Sequence, residues 1–176
     1  PYLREKIRQD ALQIIQEYNQ KYHTDYNLYR DGLTLITTIN ADLQQYAETT
    51  MNHHMTKLQA SFNSHFGKKE PWSHCPEVLQ HAITNSDIYK SLKQKGLHKK
   101  EIEKVMHQKK AMFVYQPGKG EIKVTFSSID SIKHYLRLLH PAVIAADPRN
   151  GKIKVWVGGL HYKYFQYDQV EAARQV

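Results

Sequence analysis

Six of the eight glycines stand where the chain has to turn or stop, and their spacing limits what can form between them. Asp31-Gly32 marks a turn, and Gly67 and Gly96 close helical patterns. Pro117-Gly118-Lys119-Gly120 and Asp147-Pro148-Arg149-Asn150-Gly151 each separate two β-like runs. Glycine enters the left-handed region without steric cost, so such clusters are turn signals with a mechanism. The segments they leave are helices and hairpins rather than the strands of one large sheet. The predicted class is α+β: amphipathic helices, a small, mostly antiparallel sheet and a helical insertion.

The first helix is predicted from Pro1 to about Tyr22, because Leu3, Ile7, Ala11, Ile14, Ile15, Tyr18 and Tyr22 repeat at helical spacing. Leu33 to Ile39 is β-branched and partly alternating, and reads as a strand. Asn40 is a good N-cap, with Gln44 near the capping-box position. A long helix follows to about Phe66, with Leu43, Tyr46, Ala47, Met51, Met55, Leu58 and Phe62 inward. Short helices are expected at Pro76–Ile83, from Ser86 or Asp87 to Gly96, and at His98–His107, the last burying Ile102, Val105 and Met106. A hairpin pairs Ala111–Gln116 with Glu121–Phe126. Ser127 or Ser128 caps a helix Ile129–Leu139, and a second hairpin pairs Ala142–Ala146 with Lys152–Val157. The Asn150-Gly151 pair favours positive φ and a tight turn.

Charge is uneven. The formal net charge is +8, and twelve lysines face six acids between Ser61 and Lys123. Lys99, Lys100, Lys104, Lys109 and Lys110 are the candidate interaction residues, suited to anionic lipid, cell-envelope polymer or an acidic partner protein. No helix-turn-helix, zinc-finger or RNP signature is present, so nucleic acid is not expected as a partner. His53 and His54 are adjacent and point apart on a helix, and His74-Cys75 lacks matching ligands, so no metal or other cofactor is expected. Cys75 is the one cysteine, which leaves no internal disulfide. No run approaches the roughly 18 apolar residues of a membrane span. The chain opens directly into an amphipathic pattern, as expected of a piece of a longer protein.

Two blocks resemble class A penicillin-binding proteins. Gly32-Leu33-Thr34-Leu35-Ile36-Thr37-Thr38-Ile39-Asn40-Ala41-Asp42-Leu43-Gln44-Gln45-Tyr46-Ala47-Glu48 is similar to the GLxxxTTLDxxLQxxAE block that opens their transpeptidase module, with Asn40 for the usual aspartate. The second runs from Ala142 to Val176. Asp147, Pro148, Gly151, Gly158 and Gly159 match DPxxGxxxAxVGG, and Asp168, Arg174 and Gln175 match the aromatic-Asp and Arg-Gln segments that precede the nucleophilic serine. Trp156 occupies a slot that differs from the usual pattern. The intervening region is longer than in compact members and resembles the version with a DSIxxYxxxL helix, here starting at Asp130.

The resemblance implies a fragment of a bifunctional peptidoglycan synthase ending just before its S-x-x-K nucleophile. Residues 1–31 would be a linker from a glycosyltransferase domain, and 32–67 the first strand and helix of the transpeptidase shell. Residues 68–126 would form a lysine-rich inserted subdomain, and 127–176 the helix and hairpin leading to the serine. No serine here is followed three residues later by lysine, no K-T-G occurs, and Ser61-Phe62-Asn63 lies in the wrong place for S-x-N. This polypeptide is therefore expected to have no catalytic residue and no acylation activity. The resemblance also implies a parent anchored in the bacterial cytoplasmic membrane, with this part in the periplasm. That parent would bind lipid-linked peptidoglycan precursor and β-lactams, and partner proteins of the envelope would be expected. A sheet edge left uncovered invites a homodimer.

Overall fold

A run of helices, two hairpins and one further helix make up the chain, and the computed structural model describes residues 1–67 and 69–171. The order is α1 (Tyr2–Tyr22), α2 (Ala41–Phe66), α3 (Pro76–Asn85), α4 (Asp87–Gln94), α5 (Lys99–Met106), β1 (Lys110–Gln116), β2 (Gly120–Phe126), α6 (Ser128–Leu136), β3 (Val143–Ala146) and β4 (Ile153–Val157). The class is α+β as predicted, but with two separate two-stranded antiparallel sheets. The chain forms two compact units, residues 1–52 with 140–176, and residues 53–139. Helix α2 contributes its first half to one and its second half to the other.

In the first unit, Tyr2, Ala11, Met51, Val155, Trp156, Val157 and Leu160 are buried. The β3–β4 register runs Val143↔Val157, Ile144↔Trp156, Ala145↔Val155, then shifts to Ala146↔Ile153, leaving Lys154 as a bulge. Its carbonyl accepts the amide of Asn40 at 3.0 Å. The connecting turn differs from the expected Asn-Gly pair: Gly151 alone takes positive φ (69°), after Asp147 has accepted the amide of Gly151 at 2.8 Å.

The strand predicted at Leu33–Ile39 is not formed. The segment touches β4 through the Thr38 hydroxyl, which donates to the Ile153 carbonyl at 2.7 Å. Further along β4 the pairing groups of Trp156 are taken by the side chain of Gln44, so no ladder can extend there. Ile36 is 94% exposed, which shows how far β-branched composition depends on a partner strand. On the β4 side the Ile153 carbonyl and the Trp156 amide and carbonyl are thus bonded by side chains.

Helix α2 has the predicted bounds, and Asn40 caps it by accepting the Leu43 amide at 2.9 Å. Its buried stripe is Met51, Met55 and Gln59, spaced by four, whereas Leu43, Tyr46 and Leu58 are exposed. Along α1, Ile14, Tyr18 and Tyr22 are likewise exposed.

In the second unit, Ile102, Met106 and Val114 are almost fully buried, each worth about 1.5–3 kcal/mol in apolar transfer. The predicted α3, α4 and α5 are all present, and Ser86 caps α4. Strands β1 and β2 pair in register from Lys110↔Phe126 to Gln116↔Gly120. Ser127 and Asp130 form a reciprocal capping box at 3.0 and 3.1 Å, which starts α6. The helix stops at Leu136 rather than Leu139, because buried Gln59 takes over its end. The Gln59 amide donates to the Arg137 carbonyl at 2.9 Å and accepts the Leu139 amide at 2.9 Å.

Candidate functional site

The two motif blocks meet in the first unit, and their meeting point is Trp156. Gln44 reaches across 112 residues of sequence to accept the Trp156 amide (2.8 Å) and donate to its carbonyl (2.9 Å). Its nitrogen also donates to Glu48 at 2.7 Å. Gln44 therefore completes the β4 edge instead of closing a capping box. The Trp156 indole donates to Asp168 at 2.8 Å, and the second Asp168 oxygen accepts the Val170 amide at 2.9 Å.

Both buried glycines of the second block are there because something approaches too closely for a side chain. A Cβ on Gly158 would lie 2.4 Å from an Asp168 oxygen, and one on Gly159 would lie 2.6 Å from the Tyr2 hydroxyl. That hydroxyl donates to the Phe165 carbonyl, and the ring meets Tyr162 edge-on at 5.1 Å. Lys6 closes the same patch with an ion pair to Glu171 at 2.8 Å.

The other motif residues have plainer places. Gly32 takes a positive φ of 61° in an exposed turn, and Thr37 lines an apolar hollow between α1 and residues 33–39. Asp147 accepts the Arg149 amide at 3.0 Å and holds the turn containing Pro148. The hydrogen bond from Arg149 keeps its carboxyl below the usual aspartate range. Arg174 and Gln175 lie outside the described residues. Lys99, Lys100, Lys104, Lys109 and Lys110 are all exposed on or after α5; Lys99 stands 4.0 Å from Glu103.

The second unit holds a hollow that sequence reasoning missed. A cavity of about 560 Å³ lies between the second half of α2, the β1–β2 turn and α6. Thr56, Gln59, Asn63, Gln116, Lys119, His134 and Arg137 supply its polar wall, and Ala60, Pro117 and Leu138 its apolar part. The turn sits close on α2: Gly118, at φ 79°, would place a Cβ 2.6 Å from Thr56. His134 Nε2 bonds the Tyr115 carbonyl at 2.7 Å, tying α6 to β1. Arg137 Nη2 donates to the carbonyls of Gly67 (3.2 Å) and Lys69 (3.4 Å). Its Nε is buried without a hydrogen-bond partner among the described residues. A buried donor left so costs about 1–3 kcal/mol, more when charged. The signal in the sequence was Gln59, a polar residue four beyond Met55 on the apolar stripe. His134 on α6 and Arg137, three residues on and just past its end, were the second signal.

On the other side of α6 the charges are matched. Lys133 pairs with Glu70 at 2.7 Å, and the Trp72 indole donates to the other Glu70 oxygen at 2.9 Å. Lys133, and secondarily Trp72, hold the Glu70 carboxyl below its ordinary range against the opposing effect of partial burial.

Among the described residues no three His, Cys, Asp or Glu side chains group as a metal site, and no helix is long and apolar enough to cross a membrane.

Compared with known families, residues 67–139 match the model of the penicillin-binding protein middle domain. No curated protein and no solved structure matches the chain. The matched region lies between the two blocks that carried the resemblance in sequence and includes the helix starting at Asp130; it supports a penicillin-binding protein, a component of cell-wall synthesis in the cell envelope.

Proposed function

We propose that this chain is a structural portion of a bifunctional, class A penicillin-binding protein, a peptidoglycan glycosyltransferase and D-Ala-D-Ala transpeptidase whose described part works on the periplasmic side of the cytoplasmic membrane. The observation that carries the reading is the Gln44–Trp156 pairing. It joins into one unit the two blocks that resemble a transpeptidase module, with the middle-domain stretch between them in sequence. In this reading α1 links to the glycosyltransferase. The Trp156–Asp168–Gly158 cluster steadies the backbone of the second block. The chain itself does not acylate, since it has no S-x-x-K or K-T-G. Fluorescent-penicillin labelling tests this. A longer polypeptide carrying S-x-x-K should label, and the present chain should not. Labelling of the present chain, or a longer polypeptide that lacks an acylating serine altogether, would overturn it.

A second reading rests on α5. Glu101 is spent on the His98 amide at 2.8 Å, and five exposed lysines cluster on or after the helix. We infer a basic surface for an anionic envelope polymer, lipid headgroups or an acidic partner protein. Charge reversal at Lys99, Lys100, Lys104, Lys109 and Lys110 should abolish salt-sensitive binding to anionic vesicles or wall polymer. Equal binding by the reversed variant would sink it.

A further inference from the structure

We propose that the Leu33–Ile39 segment is the docking edge for a second copy of this chain, the two segments pairing antiparallel about a two-fold axis through Ile36. The segment makes neither turn nor bend, and among the described residues none of its backbone amides or carbonyls is hydrogen-bonded. The Thr38 hydroxyl ties it to β4 and leaves that backbone open. Leucine, isoleucine and threonine fill all seven positions, with no charge and no proline to blunt the edge. Such a run with free backbone groups is a template for another strand. Leu33, Leu35 and Ile36, with Ile14 of α1, are exposed around an apolar hollow of about 510 Å³. An added strand therefore covers apolar side chains as well as open backbone.

The order of the residues selects the occupant. With Ile36 on the axis, Leu33 stands opposite Ile39, Thr34 opposite Thr38, Leu35 opposite Thr37, and Ile36 opposite its own copy. Pairs of branched apolar residues and of threonines are the stabilising unit of an antiparallel sheet. Neighbouring registers spoil the match. An axis at Leu35 sets Asp31 against Ile39 and Thr34 against Ile36, and one at Thr37 sets Thr34 against Asn40 and Ile36 against Thr38. Charge also permits a second copy. The lysine excess lies between Ser61 and Lys123, whereas Pro1–Asn52 carries five Lys and Arg against seven Asp and Glu. Arg30 is paired with Asp25 and Asp31, and Lys6 with Asp10 and Glu171. The edge thus meets its copy without the repulsion that a net charge of +8 would impose if spread evenly. A charged peptide would find nothing along the seven positions to read. Each copy uses up the other's edge, so association closes at two.

The pairing stands on this segment alone, so its failure would leave the penicillin-binding reading untouched. The test is sedimentation equilibrium of the present chain from low micromolar to near-millimolar concentration. The mass should rise reversibly from the 20.6 kDa of one chain to that of two and stop there. Ile36→Lys sets two ammonium groups face to face on the axis and should weaken the dimer at least about tenfold. Its melting temperature in dilute solution should match that of the wild type, because Ile36 is 94% exposed. An equimolar mixture of Ile36→Lys and Ile36→Glu should recover dimers holding one copy of each, since only this antiparallel register places position 36 against itself. A chain that stays monomeric throughout, growth beyond two copies, a dimer that Ile36→Lys leaves intact, or a mixture that does not recover would each overturn the proposal.

Discussion

Gly158 is small because Asp168 is close, and Asp168 is close because it must reach both the Trp156 indole and the Val170 amide. Gly158→Ala should therefore destabilise by about 1–3 kcal/mol, the usual cost of overpacking a filled site. In an Asp168→Ala background the same substitution should cost far less, because the carboxylate its methyl would strike is gone; thermal melts of the four variants measure this coupling. Additive losses would show that Gly158 is there for some other reason. Glu70 gives a second prediction at this scale. Its folded value lies below an unfolded value of about 4.3, so its contribution is present above that pH and is lost as pH falls through the lowered folded value. Both partners are a third or more exposed, so the effect is at most about 1 kcal/mol, or about 2–4 °C. The melting-temperature gap between wild type and Glu70→Gln should be widest above about pH 5, shrink as pH falls below the unfolded value, and close only below the lowered folded value. A gap that widens in acid would contradict the assignment. The glycines and Asp168 were legible in sequence as motif positions, yet the reason for them was not, because a close approach between residues ten apart has no one-dimensional signature. Trp156 was legible only as a departure from the pattern, although three hydrogen bonds converge on it.

Among the elements, helices and hairpins with local signals were readable. Ser86, Ser127 and Asn40 announce the starts of α4, α6 and α2, and the Pro117–Gly120 and Asp147–Gly151 turns announce the hairpins. What failed was anything decided by a partner. Leu33–Ile39 has strand composition, but Gln44 occupies the part of β4 that a strand would need. The inward face of α2 was misread at Leu58 because Gln59, a polar residue, wins the buried place by bonding the end of α6. The same physics gives an element-scale prediction. Gln44→Leu should leave the Trp156 amide and carbonyl unpaired, at about 1–3 kcal/mol for each buried group. Hydrogen exchange at the Trp156 amide should accelerate accordingly. Gln44→Glu keeps an acceptor for that amide but no donor for the carbonyl, and sets a second carboxylate beside Glu48. It should lose stability while protecting the Trp156 amide better than leucine does. Identical exchange in both variants would mean that Gln44 is not what holds the β4 edge.

At the scale of the molecule, the compact unit and the family match have different starting points. The unit begins at His53, and the middle-domain match begins at residue 67. The residues between them include Met55 and Gln59, each 5% exposed. Gln59 donates to the Arg137 carbonyl and accepts the Leu139 amide, so the end of α6 depends on a helix that the matched stretch omits. A polypeptide of residues 53–139 should therefore fold cooperatively, and one of residues 67–139 should not. Loss of a buried methionine is worth about 2–5 kcal/mol, and each buried group left unpaired about 1–3 more. A small domain has about 5 kcal/mol to lose, at the low end of the usual range. Trp72 reports the outcome, since it is the one tryptophan in either piece and is 6% exposed when folded. The longer piece should show a single melting transition and a blue-shifted Trp72 emission. The shorter should show solvent-exposed emission and no transition. Gln59→Ala in the complete chain separates the two losses, because it removes the bonds to α6 and keeps Met55 in place. It should lower the melting temperature of the second unit and speed hydrogen exchange at Leu139 first. A folded 67–139 piece would show that α6 finds its end without α2, and that the hollow bordered by Arg137 is built by the middle stretch alone.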